Sequence, residues 1–373
     1  MAFLMGSLAL AACGGSGADP SGPVRVEVIL TGLENPRGVG IDGEDGILVA
    51  EAGSGNDALD VTLQTGKLTR YLDRNGDGDF TGPGEVEPWF EHLESYNAMN
   101  VYATGRDEVS GPSDVAIHGD GRVFLSIDGG FDSFALLEIS IGRSMGRNLS
   151  GRSNMTGIGL APDDRSIFVT ESTLNQLIEI TLDGGERRDV TVFGALASGQ
   201  QAVPAGLAVD PRNGNILVAL FSGVAQASDG SFIPFVPGDA KVVRVDPLTG
   251  RITDEITGLT TVVDVAIDDR GNLFVVEMAA DHAELFTGKV DLLDAHLRAQ
   301  HGGYLRFSGK VTLYPAGGGP PRILADGLDA PTNITLADGA LYVSTGQGTP
   351  GRPIPGPDGA TVIVGEVLRI TGY

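Results

Sequence analysis

One phrase is written six times in this chain. Residues 112–128 read PSDVAIHGDGRVFLSID: an apolar run, a polar turn with glycine, and a second alternating run that ends on an acid. Variants begin at Pro36 (PRGVGIDGEDGILVAE), Thr156 (TGIGLAPDDRSIFVTE), Pro204 (PAGLAVDPRNGNILVAL), Val262 (VVDVAIDDRGNLFVVE) and Pro331 (PTNITLADGALYVST). Alternation with a period of two around a tight Asp/Asn/Gly turn is the pattern of a β-hairpin. The small residues Gly38, Asp114, Gly157, Gly206, Asp264 and Asn333 set a register with intervals of 76, 43, 49, 58 and 69 residues. A core unit of about 40 residues carrying insertions of different length points to a propeller rather than a helical solenoid. A closed ring also needs no capping ends.

The expected fold is therefore all-β: a six-bladed β-propeller of four-stranded antiparallel blades over residues 24–373. The alternating stretch VRVEVIL, residues 24–30, has no hairpin of its own. Paired with the outer edge of the last blade, it would close the ring and remove an exposed edge. In blade 1 the pattern predicts outer strands at 61–63 and 67–72, followed by an insertion over 73–109 that holds Trp89 and Phe90 in a loop. Residues 144–153 read as a Gly/Arg/Ser-rich linker, 304–307 and 310–314 as the outer strands of blade 5, and 346–359 as an irregular loop. VDLLDAHLRAQ, residues 290–300, has no Gly or Pro and predicts a short helix.

The chain has 373 residues and carries 49 acids against 25 bases, a formal charge of -24. Such a surface repels phosphates, which disfavours a nucleic-acid role, and favours calcium or cationic ligands. The one cysteine, Cys13, follows MAFLMGSLALAA in the junction Leu10-Ala11-Ala12-Cys13-Gly14-Gly15. This is similar to the lipobox of bacterial lipoproteins, whose cysteine is lipidated. Residues 1–12 then read as a truncated signal-like segment, lacking the positive n-region, and 13–23 as the lipidation site and flexible tether. The expectation is an exported protein in the periplasm or another extracytoplasmic space, touching the membrane through lipidated Cys13 and monomeric. With no second cysteine, export brings no disulfide framework.

Two acidic arrangements could carry chemistry. Asp73, Asn75, Asp77 and Asp79 alternate with Arg74, Gly76 and Gly78, so oxygen-bearing side chains fall on every second residue. Calcium takes six to eight oxygens, and the run resembles the opening of an EF-hand loop with Gly78 at its sharp turn. The twelfth position is Gly84, and Glu85, one residue later, is the candidate late ligand. The second arrangement is geometric: Glu51, Asp128, Glu171 and Glu277 end the second strands of four blades and share one mouth of the ring, with Asn35 and Asn333 nearby. They could hold a cation there, or simply accept backbone hydrogen bonds at strand ends. The five histidines form no HExxH set, and neither a GxSxG elbow nor a phosphate loop occurs. No residue is assigned a catalytic role.

Gly32-Leu33-Glu34-Asn35-Pro36-Arg37-Gly38-Val39, Gly46-Ile47-Leu48-Val49-Ala50-Glu51-Ala52-Gly53 and the closing Gly365-Glu366-Val367-Leu368-Arg369-Ile370 resemble the ScyD/ScyE family of exported propellers, related to NHL and SMP-30-like propellers. The resemblance implies an exported six-bladed ring and supplies no catalytic residue. The expected function is a ligand-binding or scaffold module of the cell envelope, with a small molecule, a glycan or an envelope protein as partner. The enzymatic alternative is a calcium-dependent hydrolase or lactonase working at the acidic mouth.

Overall fold

The computed structural model describes residues 23–43, 46–55, 64–97, 109–128, 136–139, 145–149, 154–223, 225–226, 232–233, 235–281 and 304–373. Within them lie six four-stranded antiparallel sheets and no helix. Each repeated phrase forms the two inner strands of one blade. The blades are Pro36–Asp42, Gly46–Glu51, Gly66–Leu72 and Val86–Leu93; Pro112–Ile117, Val123–Ile127, Leu136–Ile139 and Met145–Asn148; and Met155–Leu160, Ser166–Glu171, Gln176–Thr181 and Arg187–Val192. Blades 4 and 5 are Pro204–Val209, Ile216–Leu220, Ala240–Val245 and Ile252–Leu259, then Val262–Ile267, Leu273–Glu277, Gly309–Tyr314 and Arg322–Leu328. Blade 6 takes Asn333–Ala337, Ala340–Thr345 and Gly365–Thr371 from the end of the chain. Its outer strand is Arg25–Leu33, paired antiparallel with Gly365–Thr371.

The core is distributed around the ring as one apolar layer per blade interface. Phe168, Leu177 and Val190 of blade 3 meet Leu207, Ile216 and Val218 of blade 4. Equivalent layers join blades 1 and 2, 2 and 3, 4 and 5, and 5 and 6. Ile29, Leu30 and Leu33 of the closing strand pack with Val39, Ile47 and Val49 of blade 1. Every blade therefore depends on both neighbours, and hydrophobic burial stabilises the ring as a whole.

Several outer elements differ from the sequence expectations. The third and fourth strands of blade 1 are Gly66–Leu72 and Val86–Leu93, so Trp89 and Phe90 sit on an outer strand, half-buried against the layer shared with blade 2. Residues 144–153 contain the outer strand Met145–Asn148 rather than only a linker. The outer strands of blade 5 are Gly309–Tyr314 and Arg322–Leu328. The insertion of blade 6 carries a small hairpin, Pro353–Gly356 with Gly359–Val362. Cys13, the stretch 61–63 and the helix expected over 290–300 lie outside the described residues.

Candidate functional site

The inner strand of each blade pairs on one side only, so its other edge faces the axis. In five blades the ladder between the inner two strands slips by one residue at the register position, as between Pro36/Val39, Pro112/Asp114 and Val262/Asp264. Blades 3 and 4 slip between Met155/Ile158 and Pro204/Leu207. An extra residue re-aims the strand locally. The six register residues meet on the axis.

Three of them are polar and buried: Asp114, Asp264 and Asn333 are 8%, 3% and 6% exposed. The Asn333 amide nitrogen donates to both carboxylates, at 2.8 Å to Asp264 and 3.3 Å to Asp114. Asp264 also accepts the Val265 and Ile334 amides at 2.8 and 2.9 Å. Asp114 accepts those of Val115 and Ile158 at the same two distances. The Asn333 side-chain carbonyl accepts the Val39 amide at 3.1 Å. The glycines make room for this knot: a Cβ on Gly206 would lie 1.9 Å from an Asp264 oxygen, and one on Gly38 2.5 Å from the Asp114 Cα. Burial drives Asp114 up to about 7. Burial, with the repulsion of Asp114 added, holds Asp264 well above the usual carboxylate range. The cluster ties five blades together and can keep a proton at neutral pH.

The mouth at the start of the inner strands repeats one device in every blade. The first amide after the second strand, or the next one, donates back to the residue three before the register position. The pairs are Ala52 to Asn35, Asp128 to Gly111, Ser172 to Asn154, Phe221 to Val203, Met278 to Thr261 and Gln347 to Ala330. Asn35, Val203, Thr261 and Ala330 all take positive φ, between 41 and 60°. Left-handed backbone is rare for Val and Thr, and here it recurs with the architecture rather than marking one reactive residue.

The four mouth acids do not come together. Glu51 accepts the Glu34 amide at 2.7 Å and pairs with Lys67 at 3.4 Å. Glu277 repeats this with the Thr260 amide at 2.8 Å and Lys310 at 3.0 Å. Glu171 accepts the Leu174 amide at 2.9 Å, and Asp128 pairs with Arg37 at 2.9 Å. Burial raises both Glu51 and Glu171, and Lys67 opposes that rise at Glu51. Asn35 lies buried at this mouth, whereas Asn333 belongs to the axial knot. One residue before the register the blades carry Arg37, Ser113, Thr156, Ala205, Val263 and Thr332. Thr156 donates to the Pro204 carbonyl and Thr332 to that of Pro36, stitching neighbouring blades.

The calcium candidates occupy the turn between the third and fourth strands of blade 1, on the rim. Asp73 accepts the amides of Gly76, Asp77 and Gly78 at 2.7 to 3.1 Å. Asn75, Asp77 and Asp79 each accept the amide two residues on. Glu85 is 2% exposed, and its two oxygens hold the amides of Arg74, Asn75 and Gly82. The carboxylates thus shape the loop. Among the described residues no three His, Cys, Asp or Glu side chains converge as a metal set.

Residues 90–277, half of the chain, match the family described as SMP-30/Gluconolactonase/LRE-like region. The chain belongs to this family. No curated protein matches it in sequence. Similar solved structures include a structural-genomics protein of unknown function from Bacteroides thetaiotaomicron VPI-5482, 9% identical, with TM-score 0.54 over 93% of this chain and 76% of that one. Kuenenia stuttgartiensis hydrazine synthase is 13% identical, with TM-score 0.50 over 83% and 74%. The nidogen/laminin complex is 17% identical, with TM-score 0.47 over 76% and 83%. At these identities the likeness is one of fold. On the described axis the Asp114 and Asp264 carboxylates are engaged by main-chain amides and by Asn333, and the layer above carries Arg, Ser, Thr, Ala and Val; at the mouth the buried Glu171 Oε1 and Asn35 Nδ2 have no hydrogen-bond partner among the described residues.

The axial triad was within reach of sequence reasoning. Asp114, Asp264 and Asn333 stand at the head of apolar runs where the other three copies have glycine. A polar residue in that place signals a buried partner.

Proposed function

We propose that this member of the SMP-30/gluconolactonase/LRE-like family is a binding or scaffold propeller of the cell envelope, exported and lipid-anchored at Cys13. The observation that carries the reading is the axial knot of Asp114, Asn333 and Asp264, whose carboxylates are already engaged by main-chain amides and by the Asn333 side chain. All six connections between second and third strands, 52–65, 128–135, 172–175, 221–239, 278–308 and 346–364, leave from the mouth at the start of the inner strands. A rigid ring that presents variable loops on one face suits recognition of a small molecule, a glycan or an envelope protein. The closer resemblance to the ScyD/ScyE family agrees with an exported ring and is proposed on the same footing.

The purified chain, incubated with aldonolactones and aryl esters in the presence of Ca²⁺, Mn²⁺ or Zn²⁺, is expected to give no turnover above buffer. Metal-dependent turnover that follows the protein through purification would reverse this reading in favour of the hydrolase. In cells, Cys13→Ser is expected to move the protein from the membrane fraction to the soluble fraction, and unchanged membrane retention would remove the lipid anchor.

Calcium enters the proposal as a structural ion at the rim. Asp73 already gathers the turn, and Asp77 and Asp79 are exposed. An ion would draw them from the amides they now accept, and Asn75 with them. Glu85 would stay at the back of the loop. Calorimetric titration with Ca²⁺ is expected to show one site that Asp73→Ala removes. Heat that survives in Asp73→Ala places the ion elsewhere.

A further inference from the structure

The opposite mouth, at the turns joining the inner two strands, opens into a cavity of about 380 Å³. That volume is within the range of small-ligand pockets. Its walls include half-buried Ile41, Ile117, Leu160, Val209 and Leu336, one from each of five blades. The amides of Val39, Val115, Ile158, Val265 and Ile334 point inward to the axial side chains. Strand groups alternate with a period of two, so the main-chain N–H and C=O two residues further along face this cavity. An inner strand has no second neighbour to pair them, and unpaired main-chain groups require a partner.

The rim is acidic. Among the described residues the six turns that join the inner two strands carry eight carboxylates against four arginines. Arg70 and Arg244 reach in from third strands to pair with Asp42 and Asp210. On blades 3, 5 and 6, Asp163, Asp164, Asp269 and Asp338 are exposed and form no ion pair among the described residues.

We propose that this mouth binds a small organic cation, its apolar body among the aliphatic walls and its ammonium group between inward carbonyls and the acidic turns. An anion is repelled by the rim, and a neutral molecule of the same shape lacks the Coulomb attraction. The site is independent of the loop-bearing mouth, so it stands or falls apart from the envelope-binding reading.

The test is calorimetry with 2-phenylethylammonium, 2-phenylethanol and 3-phenylpropionate on the whole chain. The ammonium is expected to bind at least about tenfold more tightly than the alcohol, and the carboxylate not to bind. Ala337→Phe, which fills the cavity at its lip, is expected to lower the ammonium affinity about tenfold or more. Asp164→Asn combined with Asp338→Asn keeps side chains that tolerate the positive φ of 57 and 50° found there. This double variant should weaken the ammonium about threefold or more without changing the melting temperature, which keeps the proposal testable if Ala337→Phe fails to fold. Equal affinity for the alcohol, binding unaffected by the double variant, or no binding of the ammonium at about 10 mM overturns the proposal.

Discussion

Gly206→Ala is expected to cost the ring about 4 kcal/mol or more and to lower its melting temperature by on the order of 10 °C. The added methyl group would sit 1.9 Å from an Asp264 oxygen and 2.3 Å from its carboxyl carbon. Asp264 cannot simply swing away, because Val265, Ile334 and Asn333 all donate to it. Expelling it leaves the buried Val265 and Ile334 amides without that acceptor and Asn333 with Asp114 alone, and each unsatisfied donor costs about 1–3 kcal/mol. Keeping it forces blades 4 and 5 apart across the layer that holds Leu217, Val265 and Val275. Gly194 is the control: it is exposed, and a Cβ there meets nothing within 4 Å. Gly194→Ala should stay within about 0.5 kcal/mol of the parent. The double variant Gly206→Ala with Asp264→Gly removes the collision, so its cost should fall below the sum of the single costs. Strict additivity in denaturant unfolding would mean that the two residues do not meet.

The second large effect is on pH. Asp114 and Asp264 keep their protons in the folded ring at pH values where the unfolded chain has lost them. Unfolding then releases protons, and rising pH favours it. Stability should decline from about pH 4 upward and through about 7, where Asp114 ionises, and the raised Asp264 adds to the decline. The opposite arm comes from Asp210, which Arg212 and Arg244 hold below the usual carboxylate range. Its contribution is present above the ordinary Asp pKa and is lost as pH falls below about 4. The stability maximum should therefore lie in mildly acidic solution, about pH 4 to 6. Asp264→Asn should lower stability at pH 5 yet flatten the alkaline limb. Urea unfolding at half-unit intervals of pH measures both, and stability that climbs from pH 5 to pH 8 would refute the assignment.

The inner half of each blade was legible because its information is local. A hairpin buried on both faces writes its apolar runs and its turn within about 16 residues, and the six copies reinforce one another. The closing strand was legible for a related reason: 24–30 alternates and has no neighbour in sequence to pair with. Outer strands carry a weaker signal. In Val86–Leu93 only Leu93 is buried, and Arg322–Leu328 buries two of seven residues, so neither shows clean alternation. Met145–Asn148 is four residues long and includes glycine and arginine.

The candidate sites fared differently, for reasons of distance along the chain. Glu51 and Glu277 looked like parts of one entrance because they end equivalent strands. Their partners lie 17 residues back, at the Glu34 and Thr260 amides, and are visible only once the strands pair. Asn333 reaches Asp264 across 69 residues, and the Val39 amide reaches Asn333 across 294. Spacing along the chain carries no such information. The register residues were evident as a set, but the closing of the axis emerges only when six blades bring them to one point.

A crystal structure of the protein soaked separately in Ca²⁺ and Mn²⁺, with anomalous scattering to locate the ions, tests the closed axis directly. No anomalous density is expected on the axis or among Glu51, Asp128, Glu171 and Glu277, with Asn333 bridging Asp114 and Asp264. Density is expected only at the rim, beside Asp73 to Asp79. An ion on the axis or between those four acids, with a coordination position open to the loop-bearing mouth, would contradict the closed axis and place this chain among metal-dependent hydrolases.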